Sequence, residues 1–155
     1  MSKKYIHYGD TEFKPDHFNP IINRVCFNKP IGGFWASPYD SNHNWYEWCM
    51  DNDFRTDRLE KYFTFTVKDD TQILTIKNHN DLVRLKNDGL CLDYSSRYPF
   101  TKNEFYPDFK KLLDLGYDAM EVYMTDTIYM DLYGWDCDSL LVLNPNCVIV
   151  AKKEE

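Results

Sequence analysis

The stretch that decides the fold is SLLVLNPNCVIV, residues 139–150. Its two apolar runs, 139–143 and 148–150, predict strands, and the polar Asn-Pro-Asn between them supplies a turn. At the other end of the sequence, residues 3–8 alternate well enough to predict a first strand. Because strands at both ends enclose the helices predicted between them, we expect one α+β domain over residues 1–155.

Further strands and helices are predicted between these ends. Runs rich in β-branched and aromatic residues predict strands at 34–37, 62–67, 72–76 and 119–123. The polar residues 68–71 predict a hairpin between two of these strands, both near the centre of the sheet. Three helices are expected: one capped by Asp40 or Ser41 and running to about 51, one capped by Asn78 or Asn80 and closed by Gly89, and one over 106–115. The segment 125–135 has no decisive pattern.

Composition restricts the partners that this chain can have. With 155 residues and 43% hydrophobic content, the chain can bury one core. Its net charge of -7 argues against nucleic acid, because each phosphate contact needs a cation, although the same acidity suits a protein that occupies a basic partner surface. No apolar run approaches the roughly 20 residues that span a bilayer, and the start lacks a signal-peptide centre. We therefore expect no membrane contact and a cytoplasmic location.

The cysteines and two of the histidines point to no metal site. The five cysteines are scattered without a CxxC pair, which favours buried free thiols. The spacing of His43 and His79 fits no ligand motif, so we assign no metal. The sequence also has no Gly-x-Gly-x-x-Gly or P-loop run, and so gives no support for a Rossmann cofactor site or for ATP hydrolysis.

Three segments that are far apart in sequence would converge if they occupied neighbouring strands. They are YIHYG at 5–9, GGFWAS at 32–37 and WDCDSLLVL at 135–143. Each alone has an ordinary structural explanation: His7 beside a glycine suits a satisfied strand end, and Trp35 would bury about 150–250 Å² in a core. Together they would bring a histidine, aromatic rings and carboxylates into one region.

The order and content of these segments resemble the ADP-ribosyltransferase superfamily, in its diphtheria-toxin and poly(ADP-ribose) polymerase branch. In that branch a first-strand His-Gly binds the nicotinamide ribose, and a Gly-x-Tyr-x-Ala/Ser strand leads into a helix with a stacking aromatic residue. An acid then begins a late apolar strand. Residues 116–120 and the turn at 144–148 are similar to small phage and bacterial members. The resemblance implies a split β-sheet core with peripheral helices.

The same resemblance implies that NAD is the substrate, and it assigns residues to NAD. The residues expected to hold NAD are His7, Tyr8, Gly9, Trp35, Ser37, Trp45, Tyr46 and Trp48. Asp138 stands where the catalytic acid belongs, followed in our ranking by Asp136 and then by Glu121. A carboxylate there would stabilise the oxocarbenium-like ribose that forms as nicotinamide leaves, while His7 fixes a ribose hydroxyl.

Three departures from the family pattern bear on activity. Tyr8 stands between His7 and Gly9, Trp35 replaces the usual Tyr, and Asp138 replaces Glu. Aspartate is one methylene shorter, which can put the ribose hydroxyl out of its reach. We expect an NAD-dependent ADP-ribosyltransferase that modifies an intracellular macromolecule, such as the host protein targeted by a phage effector. The alternative is an inactive NAD-binding or acidic protein-interaction module on the same fold.

Two arginines follow the aromatic helix. Arg55 and Arg58 could contact the NAD phosphates, because arginine forms bidentate phosphate contacts, but we interpret them as solvated charges. The choice of acceptor would lie in the loops 10–30 and 125–135. Neither loop has a sequence pattern that identifies an acceptor.

Overall fold

A seven-stranded mixed β-sheet forms the body of the protein in the computed structural model, which describes residues 3–125, 128, 130–132 and 134–150. The strands are β1 Tyr5–Tyr8, β2 Phe34–Pro38, β3 Tyr62–Val67, β4 Ile73–Ile76, β5 Ala119–Val122, β6 Ser139–Val142 and β7 Val148–Val150. Their order across the sheet is β4-β5-β6-β2-β1-β3-β7, and β4 with β5 is the parallel pair. The predicted α+β class is confirmed.

Three short α-helices pack around the sheet, each beginning after a polar cap residue. They are α1 Trp45–Asn52, α2 His79–Asn87 and α3 Phe109–Asp114, capped by the side chains of Asn44, Asn78 and Asp108. The predicted caps Asp40 and Ser41 were wrong for α1, because the helix begins only at Trp45 and the Asn44 side chain accepts the amide hydrogen of Glu47. In the segment 125–135, residues 126, 127, 129 and 133 lie outside the described part of the chain.

The connection between β3 and β4 is not the predicted hairpin. β3 pairs with β1 and β7, whereas β4 pairs with β5 at the opposite edge of the sheet. Asp118, just before β5, explains the difference. Its carboxylate accepts the amide hydrogen of Gln72 at 2.9 Å, and its own amide donates to the Gln72 carbonyl at 2.8 Å. These two bonds fix the start of β4 beside β5, so the prediction of a central β4 was also wrong.

The strand β6 is covered on both faces, as its unbroken apolar sequence requires. Because side chains alternate along a strand, Leu141 packs into one apolar cluster with α2, α3 and Trp135. Leu140 and Val142 pack into the other cluster, on the opposite face. An unbroken apolar run is therefore the sequence signal of a strand in the middle of this sheet.

The strand β2 is shared between two neighbours. Its residues Phe34, Trp35 and Ala36 pair with β6, and its last two residues, Ser37 and Pro38, pair with β1. The three segments that were expected on neighbouring strands therefore lie on β1, on β2 and at the start of β6. This arrangement brings them to one region of the sheet.

The entry into β2 depends on a close approach of two backbone segments. Gly32 and Gly116 both have positive φ, of +86° and +99°. A Cβ added at Gly32 would lie 2.1 Å from the Pro20 carbonyl oxygen, whereas a Cβ added at Gly116 would have no described atom within 4 Å.

We expect Gly116→Ala to lower the free energy of unfolding by about 1–2 kcal/mol, through the cost of its backbone conformation alone. Gly32→Ala should lower it by more than about 3 kcal/mol, since backbone must move as well. Urea denaturation measures both, and equal losses would contradict this packing.

Candidate functional site

A cavity of about 290 Å³ lies where β1, β2 and β6 run side by side. Six of the residues that the sequence assigned to the site line it: His7, Tyr8, Trp35, Ser37, Trp45 and Asp136. The rest of its lining was not assigned from sequence and consists of Ile6, Lys29, Ala36, Arg55, Trp135, Cys137 and Ser139. The cavity therefore combines aromatic walls with hydroxyl groups, one carboxylate and two cations.

His7 is held firmly at the border of this cavity. Its ring stacks on Phe34, with centroids 4.3 Å apart, and lies 5.4 Å from the Phe63 ring. Nδ1 is 2.6 Å from the carbonyl oxygen of Trp35, and Nε2 is 3.1 Å from an Asp10 carboxylate oxygen. Both ring nitrogen atoms thus face oxygen acceptors. His7 also lines a second cavity, of about 110 Å³.

Strand alternation places the side chain of Tyr8 on the cavity face. Ile6 pairs with Ser37, and Tyr8, two residues further along β1, shares the face of Ile6. The Tyr8 ring lies 5.9 Å from the rings of both Tyr46 and Tyr62. Burial raises the pKa of the Tyr8 phenol, and the neighbouring Tyr46 adds to the shift. The Tyr8 hydroxyl is therefore a neutral hydrogen-bond donor at the mouth of the site.

Ser37 connects the second strand to the aromatic helix. The hydroxyl oxygen of Ser37, which is almost fully buried, accepts the backbone amide hydrogen of Trp45 at 3.0 Å. This bond fixes the first residue of α1 beside the cavity. The Trp45 ring stacks on Trp48, with centroids 5.2 Å apart, and Phe54 lies edge-on against both rings. Trp48 thus supports the cavity wall from behind rather than lining it.

The second aromatic wall comes from two tryptophans that meet edge to face. The Trp35 and Trp135 rings lie 4.8 Å apart at an interplanar angle of 68°. Trp135 is fully buried, and its indole nitrogen donates to the carbonyl oxygen of Asn28 at 2.9 Å. Lys29, the next residue, lies with its ammonium 5.4 Å from the Trp35 ring centroid. The loop before β2 is thereby attached to the wall, although its sequence gave no sign of this role.

The structure separates the roles of the two aspartates near β6. Asp136 is half-buried and lines the cavity, with the Lys29 ammonium 3.9 Å from its carboxylate. Asp138, the acid ranked first from sequence, lies outside the described lining. Its carboxylate accepts the hydroxyl hydrogen of Ser41 at 2.6 Å and the amide hydrogen of Met124 at 2.8 Å. Asp138 thus joins the loop before α1 to the end of β5.

Glu121, the third acid, lies on the other face of the sheet. It pairs with Leu140, whose side chain packs in the cluster opposite the cavity. The buried carboxylate accepts hydrogen bonds from the hydroxyls of Tyr5 and Tyr123 and from the Lys3 ammonium. Burial raises the pKa of the Tyr5 phenol, and the hydrogen bond to Glu121 raises it further. Glu121 is therefore satisfied by its own neighbours and is remote from the cavity.

Gly9 ends β1 in a positive-φ conformation at +109°, and its amide donates to the Lys61 carbonyl at 2.7 Å. Tyr46 contacts Tyr8 without lining the cavity. Among the predicted site residues, then, Gly9, Tyr46, Trp48 and Asp138 surround the cavity from outside its wall. Two lining residues that the sequence analysis missed, Cys137 and Ser139, could have been identified from strand alternation. Side chains two residues apart in an extended segment lie on the same face.

Comparison with family models, curated proteins and solved structures found no match to this chain. In the described part of the chain, no three His, Cys, Asp or Glu side chains are grouped to hold a metal ion. No helix among the described residues has the length and apolarity that crossing a membrane requires. What the site can do is therefore argued from its own residues.

The separate roles of the two aspartates predict different effects on stability. Asp138→Ala removes the acceptor of the Ser41 hydroxyl and of the Met124 amide, so we expect the free energy of unfolding to fall by about 1–3 kcal/mol. Asp136→Ala removes one long contact with Lys29, and we expect a change within about 0.5 kcal/mol. The free energy of unfolding of both variants is measured by denaturant titration. A larger loss for Asp136→Ala would contradict the two placements.

Burial makes the cavity thiol unreactive near neutral pH. It raises the pKa of Cys137 to about 11, because exclusion of water disfavours the thiolate more than the hydrogen bonds from Ser139 and Ser37 stabilise it. Since the thiolate reacts and the thiol does not, alkylation of Cys137 in the folded protein should be slow at pH 8 and should accelerate as the pH rises towards 11. Half-buried Cys26 should react first. Mass spectrometry of peptides after timed labelling measures both rates, and fast modification of Cys137 at pH 8 would overturn this expectation.

Proposed function

We propose that this protein is an ADP-ribosyltransferase-like protein that binds NAD in the cavity between β1, β2 and β6. The observation that carries the proposal is the convergence of three distant sequence segments on one aromatic cavity that contains a carboxylate. An ADP-ribosyltransferase-like split-sheet core is part of the same proposal. The support for such a core is the pairing of β2, whose first three residues pair with β6 and whose last two pair with β1.

The size of the cavity suits one end of the dinucleotide. Its volume of about 290 Å³ is at the lower limit of the roughly 300–1,000 Å³ of ligand pockets. We propose that the nicotinamide riboside end enters it and that the rest of NAD extends outwards. The rings of Trp35 and Trp45 offer flat apolar surfaces to the nicotinamide and exclude water from the bond that breaks.

Asp136 is the acid that this arrangement favours for chemistry. When the bond between the nicotinamide nitrogen and the ribose carbon breaks, its electron pair leaves with neutral nicotinamide, and positive charge develops on the ribose. A carboxylate in the cavity stabilises that charge until the acceptor forms a bond to the same carbon and releases its proton to solvent. Asp138 then acts as a positioning residue through Ser41 and Met124. His7 positions the Trp35 backbone.

The acceptor that we propose is an intracellular protein. The net charge of -7 disfavours a nucleic acid, whose phosphates need cationic contacts. We keep the sequence-based expectation of an effector that acts on a host protein as part of this proposal.

One observation favours the second candidate, a protein that binds NAD without consuming it. The first-ranked acid is engaged by Ser41 and Met124, and Asp136 has a cation within 3.9 Å. A paired carboxylate stabilises a developing ribose cation less well than a free one. Binding would then be retained while turnover is lost.

Two measurements with matched aspartate variants test the proposal. Purified protein is titrated with NAD while its melting temperature is followed, and nicotinamide release is measured alone and with cell lysate. We expect NAD to raise the melting temperature, since a ligand that binds only the folded state stabilises it. Asp136→Asn should retain this shift but reduce nicotinamide release by roughly 100-fold or more. Asp114→Asn, at the end of α3 and exposed, is the control that should leave both unchanged.

The outcomes separate the alternatives. Absence of any NAD-dependent shift in the wild type would overturn the proposal. A shift without nicotinamide release, with and without lysate, favours the binding module. If Asp138→Asn abolishes release in a folded protein while Asp136→Asn does not, the catalytic acid is Asp138, as the sequence ranking has it. Mass spectrometry of the lysate for added ADP-ribose identifies the acceptor.

A further inference from the structure

Arg55 reaches the cavity through an uncommon backbone conformation. It follows α1 and has φ and ψ of 50° and 33°, in the left-handed region, and Asp53 shares that region with φ of 49°. Residues other than glycine adopt this conformation at a cost in free energy, and such residues cluster at binding sites. Two of them within three residues turn the chain sharply after α1. The turn brings an exposed arginine to the cavity wall.

Among the described residues, Arg55 has no ion-pair partner, although Asp53 and Asp57 are each two residues away in sequence. Its guanidinium carbon lies 5.1 Å from the centroid of the Phe54 ring. Phe54 is itself packed edge-on against Trp45, which lines the same cavity. The aromatic cluster thus supports a guanidinium whose five N–H donors are directed to no acceptor in the described part of the chain.

The cavity has a cationic character that the whole chain lacks. The protein has a net charge of -7, yet Lys29 and Arg55 line the cavity against the single aspartate Asp136. Lys29 is the nearer cation to that aspartate, at 3.9 Å. Arg55 is therefore the cation that is left for an anionic ligand. A planar guanidinium matches two oxygen atoms of a phosphate at once.

We infer that Arg55 forms an anion subsite beside the cavity, which binds the diphosphate of a dinucleotide or of ADP-ribose. The inference rests on the proposed function and deepens it. A cavity of about 290 Å³ accommodates the nicotinamide riboside end, and the diphosphate that follows must leave it past an exposed group on the wall. Arg55 selects ligands that carry the diphosphate over nicotinamide riboside. This proposed role differs from our sequence-based interpretation of Arg55 as a solvated charge.

The chain provides a matched control in Arg58. This residue ends the turn Thr56–Arg58, is exposed, and does not belong to the described lining of the cavity. Calorimetric titration of wild type, Arg55→Gln and Arg58→Gln is carried out with NAD, ADP-ribose and nicotinamide riboside. Arg55→Gln should weaken binding of NAD and ADP-ribose by roughly 10–100-fold, the value of a charged hydrogen-bonded contact. Nicotinamide riboside should change by less than about twofold, and Arg58→Gln should leave all three constants unchanged.

Two further measurements test the subsite if Arg55→Gln folds poorly: the NAD affinity of a conservative variant and the salt dependence of NAD binding. Arg55→Lys retains the charge but loses the two-pronged geometry, so its affinity for NAD should fall between wild type and Arg55→Gln. Added salt should weaken NAD binding to the wild type more than to Arg55→Gln.

The possible failures are distinguishable. If the wild type binds NAD and nicotinamide riboside but Arg55→Gln equals Arg58→Gln for NAD, the anion subsite is overturned and the proposed function stands. If ADP-ribose binds through Arg55 while nicotinamide riboside and NAD do not bind, the subsite stands and the proposed function fails. If no ligand binds the wild type, both are overturned.

Discussion

The hydrogen bonding of one short strand, Phe34–Pro38, is the constraint on which the rest of the site depends. Its first three residues pair with β6 and its last two pair with β1, so among the described strands it makes the backbone connection between the two halves of the sheet. Trp35 and Ser37 lie on the same face of this strand, and Ser37 holds the start of the aromatic helix. A shift of register by one residue would turn both side chains to the opposite face.

Much of the fold could be predicted from local patterns, and the errors came from contacts between distant residues. The strands at 62–67 and 139–142 follow from apolar and β-branched runs that must be buried wherever they pair. The pairing of β4 could not be predicted, because it depends on Asp118, 46 positions away from Gln72. The start of α1 was also misplaced: Asn44 caps it, whereas Ser41 donates to Asp138, 97 positions away. Contacts between residues so far apart in the sequence cannot be predicted from a local sequence pattern.

In the site, too, the sequence predicted the segments better than the individual side chains. The segments were identified correctly as neighbours, since glycine turns and apolar strands fix their places, but the sequence could not assign individual side chains. The aspartates at 136 and 138 are two residues apart, yet Asp138 binds the Met124 amide and the Ser41 hydroxyl, whereas Asp136 faces the cavity and Lys29. Lys29 was missed because it comes from a loop without periodicity. The place of Arg55 in the cavity wall could not be predicted, because its left-handed backbone is not visible in sequence.

The carboxylate of Glu121 connects two strands of the sheet that are not neighbours. In a flat sheet, β1 and β5 would lie about 14 Å apart, since three strand spacings of about 4.8 Å separate them. The hydrogen bond from Tyr5 to Glu121 bridges these non-adjacent strands. The bond therefore links the two halves of the sheet through side chains, in addition to the backbone pairing of β2. A buried polar cluster thus cross-links the sheet on one face, while the aromatic cavity occupies the other face.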